Sequence, residues 1–208
     1  MHKAVGIDLD QIGSVILYLM LTIAISFGLS LVIGVYGMPA YVRPGDAFGH
    51  TIFADGAAAV AGSAAPAGGW ALKASGSCLI PESAPDMGWT VGDHGFVMTL
   101  SRKVPALIAA HLRDWLVGWL RDNGLSLDDV RHWAVHPGGP KILTAVEESL
   151  GLPPAALAPS RAVFAEYGNM SSPTVLFVLD RLRREGAAGP CVALGFGPGL
   201  VAEAALFA

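Results

Sequence analysis

One uncharged hydrophobic segment, residues 12–38, limits most strongly what the chain can fold into. It runs for 27 residues without an Asp, Glu, Lys or Arg. Because about 20 apolar residues cross the hydrocarbon core of a bilayer as a helix, this length predicts a transmembrane or signal-anchor helix. Residues 29–36, LSLVIGVY, also have the β-branched content of a buried central strand. These residues alone leave both interpretations open.

The remaining length and charge bound the domain organisation and the partners. A chain of 208 residues has room for one domain after this segment, so we divide it into a hydrophobic segment, residues 1–38, and a domain, residues 39–208. A net charge of −4 provides no basic surplus for phosphates, and no nucleic acid is expected as a partner. Two cysteines, Cys78 and Cys191, are too few for a disulfide framework and are typical of a reducing compartment.

From residue 39 onward, hydrophobic spacing predicts alternating short strands and helices. Apolar residues recur every three or four positions between Val104 and Leu120, which predicts an amphipathic helix that ends at Asn123-Gly124. The other predicted elements are strands at 51–62 and 70–80, a hairpin at 89–100 with the turn GDHG, a strand at 132–135, helices at 140–150 and 173–184, and a closing hairpin of residues 191–196 and 200–207. This order predicts a layered α/β domain.

Three short segments place polar or glycine residues where α/β domains build sites. HPGGP, residues 136–140, puts a His at the end of a predicted strand and before a helix. EYGNMSSP, residues 166–173, forms a turn between two helices and offers an Asn amide as a donor. GFGPG, residues 195–199, lets the backbone approach a ligand closely. Each segment alone is more typical of ordinary turns than of a site.

Together and in this order, the three segments resemble the signatures of type III polyketide synthases, the chalcone and stilbene synthase family. The resemblance is carried by HPGGPKIL, EYGNMSS and GFGPGL, extends over residues 51–207, and includes FADGAAAV and MGWTVGDHGFVMTLSRKVP. It implies the C-terminal half of a thiolase-like layered fold. LVIGVYGMPAYVRPGD, residues 31–46, resembles the strand and loop that precede this part in the family, which favours the buried strand over the membrane helix.

The resemblance implies an acyltransferase that condenses malonyl-CoA, with loss of carbon dioxide, onto a starter delivered as acyl-CoA. CoA thioesters are then the substrates, and the implied assembly is a homodimer. The resemblance implies no bound cofactor. By resemblance, His136 and Asn169 are two of three catalytic residues. The other matched positions are Phe53, an aromatic gatekeeper; Met98, in place of a second gatekeeping Phe; Ser171, Gly197 and Pro198 in the cavity; and Lys141, Gly138 and Gly139 beside coenzyme A.

The third catalytic residue of the family is a cysteine in an N-terminal half that these residues do not contain. Neither Cys78 nor Cys191 has the helix-terminal or cationic setting that activates a thiol. No metal site is predicted either, because His132 and His136 share a strand face without a third ligand. Two functions remain: a cytoplasmic acyltransferase whose chain is truncated or is completed by another polypeptide, or a non-catalytic partner tethered to a membrane through residues 12–38. Retention of His136 and Asn169 favours the first.

Overall fold

The computed structural model describes residues 52–60, 70–93 and 95–208. The hydrophobic segment at residues 12–38, the alternative strand at residues 29–36 and the boundary between residues 38 and 39 lie outside these ranges. Within the described ranges, the helices are too short or too polar to cross a bilayer.

Ten regular elements follow one another along the described chain, apart from short 3-10 turns. The strands are β1 (Leu72–Leu79), β2 (Met87–Gly92), β3 (Gly95–Leu100), β4 (His132–Val135), β5 (Cys191–Gly197) and β6 (Val201–Phe207). The helices are α1 (Val104–Asp122), α2 (Pro140–Leu150), α3 (Ala158–Tyr167) and α4 (Pro173–Arg184).

Four of the strands form one mixed sheet in the order β1-β6-β5-β4. β4 and β5 are parallel, with His132 opposite Cys191 and Val135 opposite Leu194. β6 runs antiparallel to both of its neighbours. β2 and β3 form a separate antiparallel hairpin. The parallel pair matters for function, because it brings the carboxyl ends of β4 and β5 to the same edge of the sheet.

Alternation along the strands supplies a buried apolar surface on each face of the sheet. Trp133, Val135 and Leu194 point to one face and pack in a core with the apolar sides of α1 and α2. Ala134 and Ala193 point to the other face and pack with α3 and α4. Side chains alternate between faces in a strand, so this pattern requires helices on both sides. The domain is therefore a helix–sheet–helix sandwich, which confirms the layered α/β prediction.

The long helix is the element that the spacing predicts best. Its fully buried side chains follow one another at intervals of four residues: Val104, Ile108, Leu112, Leu116 and Leu120. Gly124 follows with a φ of 75°, a left-handed conformation that Gly adopts without steric cost. The two hairpins, the 132–135 strand and the helices at 140–150 and 173–184 are also confirmed.

The strand predicted at residues 51–62 is wrong over the part that the structure describes. Residues 54–60 have no regular structure, and only Phe53 pairs, through a single parallel bridge with Asn169. The reason is chemical: Ala and Gly side chains give a strand little surface to pack against a neighbour. Backbone partners exist here only where the turn that follows α3 supplies them.

Candidate active site

His136 lies at the carboxyl end of β4, as its sequence position predicts. Its backbone N–H donates to the carbonyl of Leu194 on β5 over 2.7 Å, and its own carbonyl accepts the N–H of Gly138 over 2.9 Å. Two glycines lie near the half-buried side chain: a Cβ on Gly195 would lie 4.0 Å from its Cβ, and one on Gly138 would lie 3.9 Å from its Nε2. One glycine of HPGG thus lies near the imidazole, and one glycine of GFGPG lies near the base of the same side chain.

Burial determines the protonation state of this imidazole. Desolvation lowers the pKa of His136 from 6.5 to about 4, so the ring is neutral at pH 7. A neutral imidazole carries one N–H donor and one nitrogen acceptor. His136 can therefore donate a hydrogen bond and also accept a proton from a nearby acid.

The side chain of Asn169 is buried, with 4% of the residue exposed. Its Oδ1 accepts the backbone N–H of Ser171 over 2.8 Å, which orients the amide. Its Nδ2 donates to the carbonyl of Gly138 at 3.4 Å, longer than an ordinary hydrogen bond. The acceptor end of the amide is thus firmly held, while its NH₂ group points to the His136 loop through a weak contact.

The backbone around Asn169 is held on both sides. Its N–H donates to the carbonyl of Ile52 over 2.9 Å, and its carbonyl accepts the N–H of Ala54 over 2.8 Å. Thr174 closes the turn: its hydroxyl accepts the N–H of Met170 and donates to the carbonyl of Ser171, both over 2.8 Å. Gly168, with a φ of 72° and a ψ of −164°, begins the turn in a conformation that other residues avoid.

Gly138 connects the two candidate residues. It lies against the imidazole of His136 and accepts the amide of Asn169. Phe53 joins the same group through its bridge to Asn169, and Ser171 joins it through its N–H, with a strained φ of 61°. The structure thus brings together five of the residues that the sequence singles out.

The remaining matched positions lie away from this group. Met98 is opposite Trp89 in the separate β2–β3 hairpin. Gly197 ends β5. Pro198 begins the turn that follows β5, and Gly199 anchors this turn. The N–H of Gly199 donates to the carbonyl of Met87, and the carbonyl of Gly199 accepts the buried Ser83 hydroxyl.

Lys141 and Gly139 lie at the start of α2. Gly139 precedes the helix and accepts the N–H of Ile142 over 3.1 Å. Lys141 is exposed and lines an open groove of about 310 Å³ between α1 and α2, together with Pro105 and Glu148. The groove lining includes Pro140, the first residue of α2, but none of the residues grouped around His136 and Asn169.

Neither cysteine is an activated thiol. Burial raises the pKa of Cys191 to about 12 and also raises that of Cys78. A neutral thiol is a poor nucleophile. Cys191 also begins β5 at the end of the strand pair opposite to His136. Within the described ranges, no three His, Cys, Asp or Glu side chains are grouped so that they could hold a metal ion.

Two supporting residues, Gly168 and Thr174, are not among the predicted site residues. The sequence contains a signal for each: a Gly directly before the Asn of EYGN, and a Thr five residues after that Asn. The Gly signals a backbone conformation with positive φ. A hydroxyl shortly after a turn is available to bond its backbone.

The neutral state of His136 predicts a specific pH dependence of stability. Its pKa is about 4 when folded and 6.5 when unfolded, so the unfolded chain binds more protons between these values. This group does not lower the free energy of unfolding above pH 6.5. As the pH falls from 6.5 to about 4, the free energy of unfolding decreases by at most about 3 kcal/mol. We expect His136→Gln to remove this pH-dependent decrease of the free energy of unfolding, measured by urea unfolding at several pH values. His111→Gln is the control. Parallel pH profiles for the wild type and His136→Gln would contradict the assignment.

Comparison with known proteins identifies the relatives of the chain. Residues 71–208 match the family model "Chalcone and stilbene synthases, C-terminal domain". The 1,3,6,8-tetrahydroxynaphthalene synthase of Streptomyces peucetius subsp. caesius is 38% identical over 160 residues, which are 73% of this chain and 42% of that protein. The crystal structure of PKS-I from the brown alga Ectocarpus siliculosus matches with a TM-score of 0.64 and 36% identity, over 70% of this chain and 41% of that one. The chain thus spans about two fifths of either relative.

Proposed function

The chain belongs to the chalcone and stilbene synthase family, and we propose that it supplies the part of a type III polyketide synthase that stabilises the enolate of malonyl-CoA. One observation carries this proposal: the Asn169 amide donates to Gly138, beside the His136 imidazole. Two neutral N–H donors that meet at one loop can bind the oxygen of a single thioester carbonyl. The reaction proposed is decarboxylative condensation of malonyl-CoA onto an acyl-CoA starter.

The chemistry assigns a role to each donor. When the bond between the malonyl carboxylate and its neighbouring carbon breaks, carbon dioxide leaves and the electron pair enters an enolate. The enolate oxygen develops negative charge, and each preorganised donor in such a site contributes about 3 kcal/mol. The enolate carbon then attacks the starter held as a thioester on a cysteine, and that sulfur leaves as thiolate. While the starter is loaded, the cysteine sulfur bonds to the starter carbonyl and coenzyme A leaves as the thiol; the neutral ring of His136 passes the cysteine proton to the departing coenzyme A sulfur.

The surrounding residues shape the path of the substrate in this proposal. We assign Phe53 and Ser171, which contact Asn169, to the approach and the near wall of the cavity. By the family resemblance, Gly197 and Pro198 belong to its more distant wall and Met98 to its mouth. Gly138, Gly139 and Lys141 line the side from which the coenzyme A arm enters, which is consistent with the open groove along α2. The starter and the number of extensions do not follow from these residues.

The nucleophile must come from elsewhere in this proposal. Both described cysteines have raised pKa values, and the chain spans about two fifths of the related synthases. We therefore place the catalytic cysteine on a complementing N-terminal half, with the completed enzyme as a homodimer. The N-terminal half of the Streptomyces relative is a practical source of this cysteine.

The 208-residue chain alone should form no polyketide from malonyl-CoA and an acyl-CoA starter. Condensation requires the starter to be held covalently beside the enolate. Co-expression with the N-terminal half of the Streptomyces synthase should restore product, measured by mass spectrometry together with release of coenzyme A thiol. That half alone is the control. Product from the 208-residue chain alone would contradict the absence of a nucleophile, and failure of every combination would favour a non-catalytic partner.

A further inference from the structure

One buried polar side chain, that of Ser160, lies outside both the Asn169 turn and the loop at Gly199. Four polar residues among the described ones are buried as whole residues: Ser83, Ser160, Asn169 and Thr174. Asn169 and Thr174 build the turn at the candidate site, and Ser83 anchors the loop at Gly199. Ser160, in the first turn of α3, has 0% of its surface exposed. Its hydroxyl accepts the backbone N–H of Val135 over 3.1 Å.

This hydrogen bond lies at the residue directly before His136. β4 is the last strand of the described sheet, with β5 on one side. His132 and His136 donate their N–H groups toward β5, to the carbonyls of Pro190 and Leu194. Successive N–H groups in a strand point to opposite edges, so that of Val135 points away from β5. Ser160 satisfies it there, and the backbone around His136 is held from both edges.

The next residue of α3 holds the helix that follows the His136 loop. Arg161 binds Glu147 of α2 through two contacts, Nε–Oε1 at 3.2 Å and Nη2–Oε2 at 2.5 Å, and the Glu147 side chain is only 11% exposed. α3 therefore fixes the strand before the HPGG loop through Ser160 and the helix after it through Arg161. A bidentate pair of this kind also constrains orientation.

The other end of the same helix leads into Asn169. α3 ends at Tyr167, and the N–H of Gly168 donates to the carbonyl of Phe164 in its last turn over 2.9 Å. From Ser160 to Asn169 the chain runs through little more than two helical turns. A helix of this length is a stiff spacer of about 12 Å. Its position along β4 thus determines where the Asn169 amide lies relative to the imidazole.

We propose that Ser160 is a positioning residue, which sets the relation between His136 and Asn169 by fixing α3 to the last residue of β4. The catalytic meaning of this inference rests on the proposed function, because that function assigns His136 and Asn169 as donors. Ser160 acts through its hydrogen bond to the backbone of Val135, not through contact with the substrate. Loss of its hydroxyl leaves a buried N–H without an acceptor, and the end of β4 then separates from α3.

The test measures the His136 imidazole directly in the 208-residue chain. We expect Ser160→Ala to raise the pKa of His136 from about 4 to about 5 or above, measured by NMR titration, because a loosened strand end admits water. Ser160→Thr keeps the hydroxyl and should restore the wild-type value. Ser149→Ala is the matched control, because the Ser149 hydroxyl is also buried in a helix but has no partner among the described residues.

If Ser160→Ala does not fold, Ser160→Cys provides the same comparison with a similar volume and a weak acceptor. A raised pKa of His136 in either variant supports positioning. An unchanged pKa in a folded variant with lowered stability would overturn the proposal, since a merely structural hydroxyl has that effect. The readout does not depend on product formation. If the pKa of His136 shifts but the chain forms no product with a supplied N-terminal half, the result speaks against the proposed function and leaves the positioning role of Ser160 intact.

Discussion

Replacing Asn169 with Asp should lower product formation by the reconstituted synthase about a hundredfold, the usual effect of losing one oxyanion donor. The substitution keeps the oxygen that accepts the N–H of Ser171, so the turn should remain folded. It removes the NH₂ group that points to the His136 loop and adds negative charge beside the developing enolate. His136→Ala should have an effect of at least the same size, because it removes a donor and the proton acceptor for the cysteine.

Two residues of the same types provide matched controls. Asn123→Ala removes an amide at the exposed end of α1, where it donates to the carbonyl of Trp119 over 2.8 Å. His111→Ala removes an imidazole within α1. Neither control variant should change turnover by more than the small decrease that a slightly less stable protein causes. Turnover that is reduced equally by the site variants and their controls would mean that the assigned donors have no special role.

Replacing Gly168 with Ala should destabilise the domain by about 2–5 kcal/mol, the sum of backbone strain and overpacking. Its φ of 72° with a ψ of −164° belongs to a region that is essentially restricted to Gly. An added Cβ would lie 3.0 Å from the Cβ of Ala54 and 3.4 Å from the carbonyl of Ile52. The chain must then shift at the point where Asn169 is held.

The measurement is the midpoint and slope of urea unfolding, with Gly124→Ala as the control. Gly124 also has a positive φ, 75°, but an added Cβ there meets nothing within 4 Å. This substitution should cost only the backbone strain, about 1 kcal/mol. Equal losses for the two variants would show that the contact of residue 168 with residues 52–54 contributes no stability.

The parts of the fold that could be predicted depend on local periodicity. Buried positions every four residues identify α1, and the continuous apolar runs in HWAV and CVAL are typical of strands buried on both faces. The segment at residues 53–60 could not be placed by the same means, because runs of Ala and Gly have no distinctive period. Its one paired residue, Phe53, depends on a turn more than a hundred residues later.

The candidate site shows the same division between local and long-range information. The residue types in HPGG and EYGN indicate which side chains carry chemistry, but their contact joins residues 138 and 169, which are 31 positions apart. The pKa of His136 depends on burial by the assembled layers, which no local pattern contains. Ser160 has no motif around it, and its role follows only from the direction of one N–H group at the edge of β4.

The most direct test of the two-donor site is the rate of carbon dioxide release from malonyl-CoA by the reconstituted synthase after the nucleophilic cysteine of the supplied half is replaced with Ala. If His136 and Asn169 stabilise the enolate, carbon dioxide release should continue without any condensation product. It should then fall about a hundredfold when Asn169→Asp is added. Release that stops with the loss of the cysteine, or that is unchanged by Asn169→Asp, would contradict the assignment of these two residues as the enolate donors.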